Sequence, residues 1–108
     1  MAKVVRIYHY NGELSHEYYQ VYDKQSNSFK IEGEFKQYYE NGDLEYSAYC
    51  NNTIRNGTVK GYFENGNISG ICNFKDGKSY GKYLEYHPDG KLIKTKIYDN
   101  GNIIDVLY

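Results

Sequence analysis

The stretches GEFKQYYENGDL (33–44), GTVKGYFENGNI (57–68) and GKYLEYHPDGKL (81–92) share a glycine, a β-forming residue, a tyrosine, an aromatic ring, Asn or Asp, a glycine, and Leu or Ile. Gly33, Gly57 and Gly81 recur every 24 residues, and so do Gly42, Gly66 and Gly90. Two glycine series locked to one period mark a tandem repeat, which has to be recognised before any single segment is read. A fourth copy, IYHYNGEL (7–14), stands 30 residues ahead of the first. The six extra residues of that spacing fall in DKQSNS (23–28), a polar stretch that reads as a longer hairpin loop. A half-copy, IYDNGNIIDVLY (97–108), closes the chain.

One copy decides the turn. In HPDGK, Pro88 supplies the fixed φ of a first turn position, Asp89 suits the second, and Gly90 takes the left-handed conformation that follows. This predicts a three-residue hairpin loop with a glycine bulge. Residue 39 then faces 43, and Tyr38 stands opposite Leu44, Tyr8 opposite Leu14, Tyr62 opposite Ile68 and Tyr86 opposite Leu92. A two-residue Asn-Gly turn would pair 39 with 44 and split these regular columns. Further turns lie half a period along, at Lys75-Asp76-Gly77, Asp99-Asn100-Gly101 and the weaker Asn51-Asn52-Thr53. A reversal about every dozen residues is hairpin spacing and leaves no room for helices. The expected fold is all-β: one antiparallel meander domain over 1–108, with repeats at about 5–32, 33–56, 57–80 and 81–104 and a closing strand. Nine strands are expected, at 3–9, 13–22, 29–39, 43–50, 54–63, 67–74, 78–87, 91–98 and 102–108.

Composition narrows the partners. The 108 residues include 15 Tyr, 4 Phe and no Trp, so tyrosine must supply most of any core. With 13 Lys plus Arg against 14 Asp plus Glu, the net charge of −1 lacks the basic footprint of a duplex-DNA binder or a polybasic membrane anchor. No nucleic-acid partner is expected. No apolar run is long enough to span a bilayer as a helix, and the opening MAKVVRIYHY carries no apolar signal core. The reading is an intracellular, cytoplasmic protein, or one of the host cytoplasm or nucleus if its source is a virus.

The repeated unit resembles the MORN repeat, in the variant form found in bacterial antitoxin-like proteins and large DNA viruses. The resemblance is carried by Gly33, Tyr38, Tyr39, Asn41, Gly42 and Leu44 and by their counterparts in the next two copies, ending with Gly81, Tyr86, His87, Asp89, Gly90 and Leu92. It implies an elongated, twisted single sheet. Members of that family act as stand-alone scaffolds, as modules fused to lipid kinases and methyltransferases, and as antitoxin-like partners. The 23–28 insertion and the lack of Trp are departures from its pattern.

The column Tyr8, Tyr38, Tyr62, Tyr86 reads first as a core ladder, because cross-strand aromatic pairs with apolar partners hold such sheets together; the alternative is an aromatic binding ladder. The opposite face, with the register above, is expected to carry Phe35, Tyr39, Tyr49, Val59, Phe63, Ile71, Tyr83, Ile93 and Ile97. A one-layer sheet cannot cover two apolar faces. Either twist and long Lys and Glu stems cover the second one, or a partner does. Phe35, Tyr39, Tyr49, Phe63 and Tyr83 are the partner-binding candidates. In the last strand, Ile103, Ile104, Val106, Leu107 and Tyr108 form an apolar edge with Asp105 its one charge, suited to a homodimer or to a docked partner strand.

Cys50 and Cys72 fall two strands apart in a meander, about 9.5 Å, beyond disulfide reach, and read as packed thiols. His9, His16 and His87 match no metal-ligand spacing, and His9 and His87 stand in the column of Tyr39 and Phe63 as aromatic substitutes. No nucleophile–base or paired-carboxylate arrangement breaks the repeat, since Glu40 and Glu64 recur by period as hairpin-loop positions. A non-catalytic module with no cofactor and no metal is therefore expected. It would act in protein–protein interaction or as a scaffold, as a small viral or bacterial adaptor, with a partner whose identity the sequence does not give. The alternatives are an antitoxin or immunity-type protein, a peripheral lipid binder, for which Lys36, Lys60, Lys82, Lys94 and Lys96 are too scattered to argue strongly, and a self-assembling structural subunit.

Overall fold

A computed structural model describes residues 2–108. Ten strands follow one another: β1 (Ala2–Tyr8), β2 (Leu14–Asp23), β3 (Ser28–Tyr38), β4 (Leu44–Asn51), β5 (Ile54–Arg55), β6 (Gly57–Tyr62), β7 (Ile68–Lys75), β8 (Lys78–Tyr86), β9 (Leu92–Asp99) and β10 (Asn102–Leu107). They form one open sheet in the order β1-β2-β3-β4-β6-β7-β8-β9-β10, with short β5 paired to β4. Every pairing is antiparallel, as expected of a meander. The sheet measures 45 × 36 × 15 Å. Its radius of gyration of 15.7 Å exceeds the roughly 13 Å of a compact domain of this length, because no second layer folds onto it.

The repeat hairpins have the geometry their sequence predicts. Tyr38 pairs with Leu44, Tyr8 with Leu14, Tyr62 with Ile68 and Tyr86 with Leu92. The Tyr39 amide donates to Asp43 O at 2.8 Å, and Gly42, at φ +93°, donates to Tyr39 O. The Asn/Asp column caps these loops. Asn11, Asn41, Asn65 and Asp89 each accept, through Oδ1, the amide two residues on at 2.9–3.0 Å. Such side-chain caps hold the loop in its turn before any strand pairing forms.

The half-period turns are tighter and do more. Asn52-Thr53, Asp76-Gly77 and Asn100-Gly101 all have two positive φ values, the two-residue hairpin geometry that matches strand twist. The second residue of each reaches back to the preceding repeat: Thr53 N–H to Ile31 O, Gly77 N–H to Arg55 O and Gly101 N–H to Ser79 O, at 2.8–2.9 Å. Thr53 tolerates φ +70° because Ile31 N–H also donates to its Oγ1, at 3.0 Å, so the two residues bond reciprocally.

Three expectations are corrected. The span 54–63 is two strands, broken at Asn56, whose amide donates to Tyr49 O; β6 starts at Gly57, with φ +100°. The six extra residues of the first repeat mostly lengthen β2 and β3; Asp23 pairs with Ser28, leaving only 24–27 as turn. The tightest burial is not in the Tyr8, Tyr38, Tyr62, Tyr86 column, of which Tyr8 is 59 % exposed. It lies on the other face, at Ala48, Val59 and Cys72, with Tyr46, Phe74 and Tyr83 packed against them. In a one-layer sheet, small residues in the middle are overhung by neighbouring rings, whereas rings at the hairpin ends have little above them.

Candidate partner-binding face

A second bulge decides which side chains share a face. Beyond each Tyr–Leu pair the register slips by one residue: Gln37 pairs with Tyr46, Gly61 with Gly70 and Glu85 with Lys94. Glu45, Ser69 and Ile93 are the extra residues. Because a one-residue slip turns every later side chain over, Phe35 stands across from Ala48, Val59 from Cys72 and Tyr83 from Lys96. Tyr49, Ile71 and Ile97, expected beside Phe35, are turned to the opposite face, where they pair with Glu34, Lys60 and Lys82. Of the five partner-binding candidates, Phe35 and Tyr83 therefore share a face and Tyr49 does not.

Tyr39 has a structural role at the hairpin end. Its hydroxyl donates to Tyr62 O in the next repeat at 2.5 Å, as His9 Nε2–H donates to Tyr38 O at 2.9 Å. Burial, and then the charges of Glu45 and Glu64, raise the Tyr39 hydroxyl pKa. Phe63 occupies the same column without a polar atom, and there Asn65 and Asn67 reach the next repeat instead, both donating to Pro88 O at 2.8 Å.

The face carrying Phe35 and Tyr83 is a shallow trough. Ala48, Val59, Gly61, Ser69, Gly70 and Cys72 floor it; Phe35 and Tyr46 rise on one side and Phe74 and Tyr83 on the other. The floor is low because the repeat columns change size: Phe35, Val59, Tyr83 is one column and Tyr46, Gly70, Lys94 another, so the middle unit contributes the small members. Phe35 stacks on Tyr18 at 5.5 Å and meets Tyr46 edge-on at 6.2 Å, which fixes that wall.

Arg55 crosses the centre. Its side chain lines all three hollows of the trough. Its Nε–H donates to the Tyr46 hydroxyl, and its guanidinium carbon lies 5.5 Å from the Tyr46 ring centre and 5.8 Å from that of Phe74. Among the described residues the ion pairs are Arg6–Glu17, Lys36–Glu34 and Glu85 with Lys94 and Lys96, so Arg55 has no carboxylate. At the far wall, Lys96 pairs with Glu85 at 2.8 Å, Lys94 approaches the same carboxylate at 3.7 Å, and Lys96 lies 5.7 Å over the Tyr83 ring. The hydrogen bond from Lys96 holds the Glu85 carboxyl below its ordinary pKa. Cys50 and Cys72 are free and buried, and burial raises both thiols against the smaller, opposite pull of Arg55. Burial likewise raises the Tyr83 hydroxyl.

A larger hollow, about 870 Å³, lies elsewhere, at the half-period turns between Phe74, Asp76, Lys78 and Asp99. It is open to solvent and mixed in charge, with no aromatic wall facing Phe74 across it other than Tyr80. Among the described residues no three His, Cys, Asp or Glu side chains gather as a metal site, and no helix is long and apolar enough to cross a membrane.

The apolar C-terminal edge is less regular than its sequence suggests. Ile103 pairs with Tyr98 and Asp105 with Ile97, so Ile104 bulges out at 64 % exposed, and Asp105 Oδ1 accepts the Val106 amide at 2.8 Å. A bulge and an amide closed on its own neighbour both blunt a sheet edge. Leu107 and Tyr108 remain exposed beyond it.

An open sheet of hairpins in sequence order, with one glycine-turned unit per period, defines a tandem β-hairpin repeat protein. The chain belongs to the MORN repeat variant family, whose model matches at residues 31–52, 55–76 and 80–100. MORN repeats are generally associated with protein or membrane-lipid interactions, and the family is typically non-catalytic. No curated protein and no solved structure matches the chain significantly.

Proposed function

We propose that this protein is a non-catalytic interaction module that binds another protein through the trough between Phe35 and Tyr83. The observation carrying this reading is the aromatic-walled trough itself, left without a second layer on a sheet only 15 Å thick. Stable domains usually cover such a face with another element. The rigid walls suit recognition, because tyrosine and phenylalanine present large area at small entropic cost. We place it inside the cell, where Cys50 and Cys72 would stay reduced. An adaptor of viral or bacterial origin and an antitoxin-type inhibitor are both versions of this role.

The test is copurification from the native host followed by mass spectrometry, with Phe35→Asp/Tyr83→Asp against Tyr49→Asp on the other face. A stoichiometric partner lost only in the first variant supports the reading. Retention in that variant refutes it. Flotation with anionic vesicles instead would move the assignment to lipid, and concentration-dependent light scattering, sensitive to truncation after Gly101, would move it to self-assembly.

A further inference from the structure

The column that contains Arg55 reads Ile31, Arg55, Ser79, so the guanidinium is the one charge placed there, and it lines the hollow over the low middle unit of the trough. Gly77 N–H holds its carbonyl, fixing the strand that aims it. Its partners are a tyrosine hydroxyl and two ring faces, which orient a cation without neutralising it. Across Tyr83 stand Lys94 and Lys96 with only Glu85 between them. The trough thus offers three cations, Arg55, Lys94 and Lys96, to two carboxylates, Glu85 and Glu45, and Arg55 pairs with neither. Glu45 lines the same hollow as Arg55 but is engaged by Gln37 at 3.3 Å, and Glu64 sits at the hairpin end.

Resting on the interaction-module reading, we infer that the occupant is an extended acidic segment of a partner protein. It places a carboxylate against the Arg55 guanidinium, and flanking apolar side chains lie on Phe35 and on Phe74 and Tyr83. Charge complementarity selects this occupant over a second copy docked trough to trough, which would set one cationic face against another. Arginine suits such a contact, since its planar fork pairs a carboxylate through two parallel hydrogen bonds while its faces stay on the rings.

Fluorescence anisotropy with three labelled decapeptides tests it: glutamate alternating with leucine and phenylalanine, and the glutamine and lysine counterparts. The full chain should bind the glutamate peptide at least about tenfold tighter than the glutamine one, the scale of a charge-assisted bond, and the lysine peptide least. Arg55→Gln should level glutamate and glutamine, while Arg55→Lys keeps part of the preference. Equal binding of these two peptides by the unmodified protein, a preference that survives Arg55→Gln, or no binding of any peptide overturns the proposal. Phe35→Ala/Tyr83→Ala separates the underlying reading, since it should weaken both glutamate and glutamine peptides. If both still bind, the trough is not the surface used, whatever Arg55 does.

Discussion

Replacing Gly77 by alanine tests the tie that positions Arg55, and Gly101 supplies an internal reference. Both glycines are second residues of two-residue turns, at φ +83° and +86°, and both donate to a carbonyl of the preceding repeat. They differ in surroundings. A Cβ on Gly77 would lie 2.9 Å from Ile54 Cγ2, whereas on Gly101 it would meet Lys78 Cβ at an ordinary 3.8 Å. The left-handed backbone costs about 1–2 kcal/mol for any residue with a Cβ, of which about 0.4–1 kcal/mol returns through the stiffer unfolded chain. Gly101→Ala should therefore destabilise by roughly 1 kcal/mol. Gly77→Ala adds the overlap with Ile54, of the order of 1–2 kcal/mol for an overpacked site that can partly shift. In a thermal melt, each kcal/mol lowers the midpoint by about 4–8 °C for a domain near this size. In an Ile54→Ala background the excess at Gly77 should vanish, leaving the two alanine variants equal. Equal costs in the original background, or an excess that survives Ile54→Ala, would refute the account of how this turn is packed.

Tyr39→Phe should cost about 0.5–1.5 kcal/mol in urea denaturation through the lost bond to Tyr62 O, while Phe63→Tyr in the same column should cost nothing or stabilise. Glu85 has a depressed folded-state pKa, so its contribution is present above the unfolded carboxylate value of about 4.3 and is lost as pH falls through the lower folded value. Glu85→Gln should flatten the acid limb of the stability curve, seen as a smaller loss of melting temperature on acidification. Cys50 and Cys72, buried and with raised thiol pKa, should react with a disulfide reagent at about pH 8 only slowly in the folded protein and at once in denaturant.

The periodic parts of this fold are legible in the sequence because they rest on local chemistry. Asn41 and Gly42 encode a capped, left-handed turn whatever surrounds them, and the Tyr38–Leu44 pairing follows from loop length alone. The bulge at Glu45, Ser69 and Ile93 has no such local mark, since those positions hold three different residues, and a register drawn without it puts Tyr49, Ile71 and Ile97 on the wrong face. Tyr46, Ala48, Phe74 and Cys72 escape a sequence reading as site residues for the same reason. Arg55 is readable in principle, as the charged member of the column Ile31, Arg55, Ser79. That its side chain crosses the sheet to Tyr46 and Phe74 is not, because this depends on the break at Asn56 that separates β5 from β6.

The amides of Thr53, Gly77 and Gly101 each grip a carbonyl 22 residues earlier, within a 24-residue unit. Duplication or excision of one whole unit leaves every such grip in phase, with no loop to be redesigned. The architecture is consequently a ruler. Each unit gained widens the sheet by two strand spacings, about 9.5 Å, and inserts one more set of walls and floor beside the existing one. Lineages of such proteins can change the width of the sheet by unequal recombination alone, leaving point substitutions at positions such as residue 55 to set the chemistry of each unit's face.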